Sequence, residues 1–167
     1  MPIGKLKAIT GTWRGEYCYD VSPHIAEHAP VSFTLILKQG WFGKFSGSVT
    51  DSGPGGVPGS GTIEGYFSFP RMEFIKRMPV YYVATVSGGN STLREHLIEQ
   101  GHPCERDVPH PPIFYEGEFT SPTRARGTWI IRGGPVLLGD GATVETPKVT
   151  GCWSIERCSE KGFKRLC

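Results

Sequence analysis

The sequence predicts an all-β domain, an antiparallel up-and-down meander closed into a small barrel of about eight to ten strands with one short helix. Three observations predict it. Apolar residues alternate with polar ones at a period of two through nearly every segment. The chain has 23 glycines and 14 prolines in 167 residues, scattered as turn punctuation and not gathered into a low-complexity block. Many of those glycines fall inside the alternating runs beside aromatic residues, where a bare backbone lets a sheet coil tightly enough to close. The length suits one domain, residues 1–167, with a basic stretch at 159–167 that reads as a solvated, flexible end.

The elements follow in order. Trp13, Gly15, Tyr17 and Tyr19 alternate with Arg14, Glu16, Cys18 and Asp20, which gives the first strand an aromatic face. Phe33, Leu35 and Leu37 mark a second strand and Phe45, Gly47 and Val49 a third, joined as a hairpin by a turn at Gln39-Gly40 and Gly43. Residues 51–61 are mostly glycine and proline and are expected to form a loop. Ile63, Gly65, Phe67 and Phe69 carry the next apolar face, followed by Met72, Phe74 and Lys76, then by Val80, Tyr82, Ala84 and Val86. Pro70 and Pro79 stand at the junctions, where a missing amide does least harm.

Thr92-Leu93-Arg94-Glu95 is a capping-box pattern, Leu93 and Leu97 share a helical face, and Gly101 is a stop, so the spacing predicts a two-turn helix over 93–100. A proline-rich connector, 103–112, precedes three more strands at Ile113–Thr120, Ala125–Arg132 and Val149–Arg157.

Gly11-Thr12-Trp13 at the head of the first strand, the meander itself, and the closing run Gly151-Cys152-Trp153-Ser154-Ile155-Glu156-Arg157 together resemble the calycin superfamily, which includes lipocalins, fatty-acid-binding proteins, avidins and nitrobindin-like proteins. The resemblance implies a calycin-like barrel. It further implies that Trp13 closes the barrel floor and that an arginine near the end of the last strand packs over it; Arg157 takes that role, with Arg132 as the other candidate. No subfamily pattern is present: the lipocalin Thr-Asp-Tyr run, the avidin ligand set and a disulfide framework are all missing.

Such a barrel is either filled by its side chains or holds one small ligand. The inward face is expected to carry Trp13, Tyr17, Tyr19, Phe33, Phe45, Phe67, Phe74, Tyr82, Tyr115, Trp129 and Trp153. Lys76 and Arg157 fall in phase with inward residues, and a buried cation needs a partner or an anionic ligand. The candidate binding residues are therefore Tyr17, Tyr19, Lys76, Tyr82, Tyr115 and Arg157. The function expected is an intracellular binding barrel for a small, largely apolar ligand, with an anionic group as one option. The alternatives are an enzyme on the same scaffold, an isomerase, cyclase or haem-dependent scavenger working at the barrel mouth under a lid at 87–112, or a structural module with no ligand.

Other chemistries lack their motifs. The net charge of +2 gives no field for nucleic acid or membrane, and no Gly-x-Ser-x-Gly, His-Glu-x-x-His or P-loop is present. Glu116 and Glu118 share a face expected to be outside. The histidines at 24, 28, 96, 102 and 110 read as surface residues; neither the 24/28 pair nor His102, Cys104 and His110 match a metal site, so no metal is assigned. No cofactor is expected either, haem being the one that a single inward-aimed histidine would permit. Five unevenly spaced cysteines read as free thiols and the N-terminus lacks a signal-like apolar run, which points to the cytoplasm. An open sheet edge would allow a homodimer.

Overall fold

The computed structural model describes residues 9–22, 29–53, 55–84, 90–138 and 140–159. Eight strands close into an antiparallel barrel: β1 (Gly11–Tyr19), β2 (Val31–Gln39), β3 (Lys44–Ser52), β4 (Ser60–Ser68), β5 (Arg71–Arg77), β8 (Ile113–Ser121), β9 (Arg124–Ile131) and β12 (Val149–Arg157). Each strand pairs with the next of this set, and β12 returns to β1 to close the ring. Two hairpins stand outside it, β6 (Tyr82–Ala84) with β7 (Asn90–Thr92), and β10 (Gly134–Leu137) with β11 (Thr143–Thr146). Helix α1 (Leu93–Glu99) follows β7 directly; Thr92 and Glu95 make the reciprocal capping box that the sequence announces.

The two ends of the barrel differ. At one end the connections are tight turns, 40–43, 69–70 and 122–123. Here Trp13 lies opposite Arg157 in the ladder, and the guanidinium sits 5.7 Å from the indole ring centroid while donating to Thr10 O. At the other end the connections are long: 53–59, the excursion 78–112 that carries β6, β7 and α1, and 132–148 with β10 and β11. The first end is a floor and the second a mouth.

Alternation fills the inside. Trp13, Leu35, Ile63, Met72 and Phe74 are only 0–3 % exposed. A void able to admit water would leave accessible area on the side chains around it, so the interior from the floor to the level of Phe74 is packed. Phe74 stacks on Tyr115 with ring centroids 4.5 Å apart, and Trp153 meets both rings edge-on. The three interior indoles all donate to backbone carbonyls: Trp13 to Ile9 O, Trp129 to Cys18 O, and Trp153 to Glu116 O and Thr128 O.

Inward glycines shape the wall as well. Gly117 and Gly127 are register partners, and a Cβ on Gly127 would lie 1.9 Å from Glu116 O and 2.5 Å from Gly117 Cα. Bare backbone on the inner side lets the wall bend inward there, and its outer surface is a groove of about 1160 Å³ lined by residues such as Glu16, Arg71, Glu118, Arg126 and Cys152. Glu116 and Glu118 are exposed on this outer face.

Several expectations are corrected. The run from Val80 to Ala84 is not a barrel strand: the chain leaves the wall after Arg77, and Tyr82 sits half-buried on the β6–β7 hairpin, paired with Thr92, while Val86 lies outside the described residues. The loop expected at 51–61 is shorter, since β3 continues to Ser52 and β4 begins at Ser60. The β10–β11 hairpin lies between Arg132 and Val149, where the alternation predicts no strand. His24, His28 and residues 160–167 lie outside the described residues.

Candidate functional site

The site lies at the mouth end of the barrel interior. Alternation along β1 turns Tyr17 and Tyr19 inward, along β3 it turns Asp51 inward after Val49, along β5 Lys76 after Phe74, and along β8 Tyr115 after Ile113. The Lys76 ammonium donates to Asp51 Oδ1 at 2.5 Å, and these side chains are 2 % and 0 % exposed. The Tyr17 hydroxyl donates to Asp51 Oδ2 at 2.9 Å, and the Val57 amide, from the loop over the mouth, reaches the same oxygen at 3.1 Å. Asp51 thus has a cation, a phenol and a backbone amide around it. Lys76 Nζ also lies 5.0 Å from the centroid of the Tyr17 ring.

Aromatic groups surround this core. Tyr19 meets the Tyr17 ring edge-on at 5.7 Å and the Trp129 ring edge-on at 5.0 Å. From the excursion, His110 packs against Tyr81 with ring centroids 5.0 Å apart, and its Nδ1 lies 2.7 Å from Pro111 O, so that nitrogen carries the proton. Two backbone bonds tie the start of this segment to its end, His110 N to Met78 O and Tyr81 N to Val108 O.

Burial governs the electrostatics. Dehydration pushes the Tyr17 phenol far above its ordinary value, and the neighbouring Tyr19 and the Asp51 carboxylate add to the effect. Tyr115 is pushed well up by complete burial and then by Asp51 and Tyr19. Tyr19 and Tyr81 are raised, again mainly by burial. Burial lowers the Lys76 ammonium, while Asp51 opposes that shift. His110 is lowered by burial first, so its imidazole is held neutral.

Four of the six residues singled out from sequence come together here: Tyr17, Tyr19, Lys76 and Tyr115. Two do not. Tyr82 is on the outer hairpin, and its neighbour Tyr81 is the residue that reaches His110. Arg157 is at the floor over Trp13, at the opposite end from Lys76. Arg132, the other arginine considered for that place, is exposed and lies over the Phe114 ring.

Sequence reasoning missed Asp51 and His110. Asp51 reads in the sequence as the start of the Gly/Pro loop, although the alternation Phe45, Gly47, Val49 extends to it. His110 reads in the sequence as a surface histidine; in the fold it is mostly buried. The other described histidines have separate partners, His102 with Asp140 at 3.2 Å and His96 with Gln100 at 3.1 Å, and among the described residues no three His, Cys, Asp or Glu side chains are grouped as metal ligands.

The fold and site define an eight-stranded up-and-down β-barrel with a packed floor and a dehydrated ion pair, ringed by phenols, beneath a covered mouth. No family model matches the chain, and no curated protein matches it. Among the described residues no helix is long and apolar enough to cross a membrane.

Proposed function

We propose that the chain is a calycin-like binding barrel, working in the cytoplasm, that seats one small, largely apolar ligand at its mouth. The ligand rests against Tyr19 and the cover formed by the 53–59 loop and the excursion 78–112, and does not enter the packed floor. The observation that carries this reading is the Tyr17–Asp51–Lys76 network, fully dehydrated at one end of an otherwise apolar interior. A buried ion pair adds little net stability compared with apolar residues of similar volume, so its presence at the one end with long loops supports a role in recognition.

The same network redefines the ligand's polar group. Lys76 is neutralised by Asp51 within the chain, so the ligand need not supply an anion. A neutral hydrogen-bonding head, such as a hydroxyl or carbonyl, suits the phenols better than a free carboxylate does.

Native mass spectrometry of the purified full chain, with Tyr19→Ala as the comparison, tests this. A bound species of a few hundred daltons on the wild type, reduced at least about tenfold on Tyr19→Ala, is the result expected. Its absence from the wild type, together with no binding in a panel of fatty alcohols, fatty acids and aromatic ketones, overturns the reading. Neutral His110 beside Lys76 and Asp51 favours one second reading, an enzyme at the mouth using His110 as a general base. Consumption of a ligand found by mass spectrometry, abolished in His110→Gln, would distinguish it from a binder.

A further inference from the structure

Cys18 on β1 and Cys152 on β12 are register partners. Their strand neighbours Tyr17, Gly151 and Trp153 point into the barrel, so both thiols point out. Two residues along the same ladder, Asp20 N donates to Thr150 O. Hydrogen-bonded pairs recur at every second residue of an antiparallel ladder, so Cys18 and Cys152 are such a pair, with Cα atoms about 5.5 Å apart. That falls within the span of roughly 4.4–6.8 Å that a disulfide bridges.

The position of the pair matters as much as its spacing. β1 and β12 are the first and last strands, and their ladder is the seam that closes the barrel. A bond across it ties together residues at opposite ends of the fold's sequence, closing a loop of roughly 135 residues, which in the chain-entropy account is the long-loop case where a cross-link constrains the unfolded chain most. Among the described cysteines no other two are register partners. Cys104 donates to Arg106 O on the excursion, and Cys158 follows Arg157 at the floor.

We propose that Cys18 and Cys152 form a thiol-oxidation site, which low-molecular-weight disulfides such as glutathione disulfide convert into an intramolecular disulfide that locks the barrel seam. Cys152 is the more exposed and attacks first: its thiolate bonds to one sulfur of the small disulfide, whose S–S bond breaks and releases one thiolate. Cys18, whose thiol is pushed up by burial and by the neighbouring Cys152, then gives up its proton to solvent and attacks the Cys152 sulfur, displacing the second small thiolate. The two protein thiols lose two electrons and two protons in all, and the small disulfide is reduced to two thiols. Added thiol reverses the reaction.

The test incubates the reduced full chain with glutathione disulfide at neutral pH. Expected are a fall in titratable thiols from five to three, a Cys18–Cys152 linked peptide in a non-reducing digest, and a rise in Tm of about 5 °C or more that dithiothreitol reverses. Cys18→Ser should stop at a glutathione adduct on Cys152, and Cys152→Ser should give neither link nor Tm rise. The wild-type digest decides the matter even if a variant folds poorly. Glutathione adducts accumulating on wild-type Cys152 with no linked peptide, a link between other cysteines, or a Cys18–Cys152 link that leaves Tm unchanged would each overturn the proposal.

Discussion

Trp13 and Arg157 face each other across the ladder that joins the first barrel strand to the last, the guanidinium 5.7 Å from the indole centroid and bonded to Thr10 O. One side chain thus closes the floor and ties the start of the barrel to its end. Replacing Arg157 by Met keeps most of the stem but loses the cation–π contact and the charged hydrogen bond, which together amount to about 2 kcal/mol. Trp13→Ala, which empties a fully buried indole site, should cost about 3–5 kcal/mol. The double variant should lose less than the sum, because the two side chains share one contact. Urea midpoints at an unchanged m-value measure all three, and strict additivity would show that the contact carries no energy.

The Asp51–Lys76 pair is a case where removing one partner is worse than removing both. Lys76→Met leaves a carboxylate buried with only a phenol and an amide to solvate it, and Asp51→Asn leaves a buried ammonium; each should destabilise by about 3–5 kcal/mol. The double variant Asp51→Leu/Lys76→Met should recover most of that loss, and its stability should fall within about 1–2 kcal/mol of wild type. The same double variant, folded but without the network, should lose the mouth ligand. A double variant as unstable as either single one would mean that the ion pair organises the barrel itself.

The barrel strands were legible because alternation states which residues point inward, and a closed barrel needs little more. Asp51 was hidden by its neighbours: it opens an Asp-Ser-Gly-Pro run that reads as a turn, while its cation lies on another strand 25 residues away. Only the register of β3, β4 and β5 brings them together, and periodicity does not give register. Tyr82 failed for a related reason. Its phase with Val80 and Ala84 is strand-like, and Tyr82–Ala84 is indeed a strand, but Pro79 stands where the chain leaves the wall, so phase no longer means inward. Four-residue strands such as β10 and β11, flanked by glycines, carry too few alternations to register at all.

The phenols predict the alkaline limb of stability. Tyr17, Tyr19, Tyr81 and Tyr115 all have raised values, mainly through burial. For each, the stability is fully present below the unfolded value near ~10 and is lost as pH climbs from there toward the folded value. Lys76, which is lowered, acts with the opposite sign, because the unfolded chain then holds the extra proton and stability rises with pH until its unfolded value near ~10.4. Four phenols outweigh one ammonium, so stability should fall steeply above pH ~10. In a titration at the absorbance of tyrosinate these four should ionise only as the chain unfolds. Reversible ionisation of all six tyrosines with the circular dichroism intact would contradict the burial of the network.

His110 sets part of the acid limb. Burial lowers it, so the folded chain refuses a proton that the unfolded chain accepts once pH drops below about 6.5. Stability from this source is complete above that value and declines as pH falls toward the folded one. His110→Gln should flatten the decline between about pH 6.5 and 5 while lowering stability at neutral pH by only about 1 kcal/mol. Denaturant midpoints across that range give the answer, and an unchanged slope would assign the acid sensitivity elsewhere.

The inward bend of the wall rests on Gly117 and Gly127. Gly127→Ala places a methyl group 1.9 Å from Glu116 O and 2.5 Å from Gly117 Cα, both backbone atoms of the facing strand, so no side-chain rotation relieves the clash and β8 and β9 must move apart. A loss of about 3 kcal/mol or more is expected. Gly40→Ala is the control: its added Cβ would have the Lys44 carbonyl oxygen at 3.5 Å as its nearest neighbour, an ordinary contact, and the change should stay within about 0.5 kcal/mol. Forcing β8 and β9 apart also shifts Tyr115 and Trp129, register partners two residues toward the mouth. Gly127→Ala should therefore weaken mouth binding in whatever folded fraction remains, and Gly40→Ala at the floor should not. Equal midpoints for the two variants would show that the wall yields freely, and the account of the outer groove as a pinch between these two glycines would fail with it.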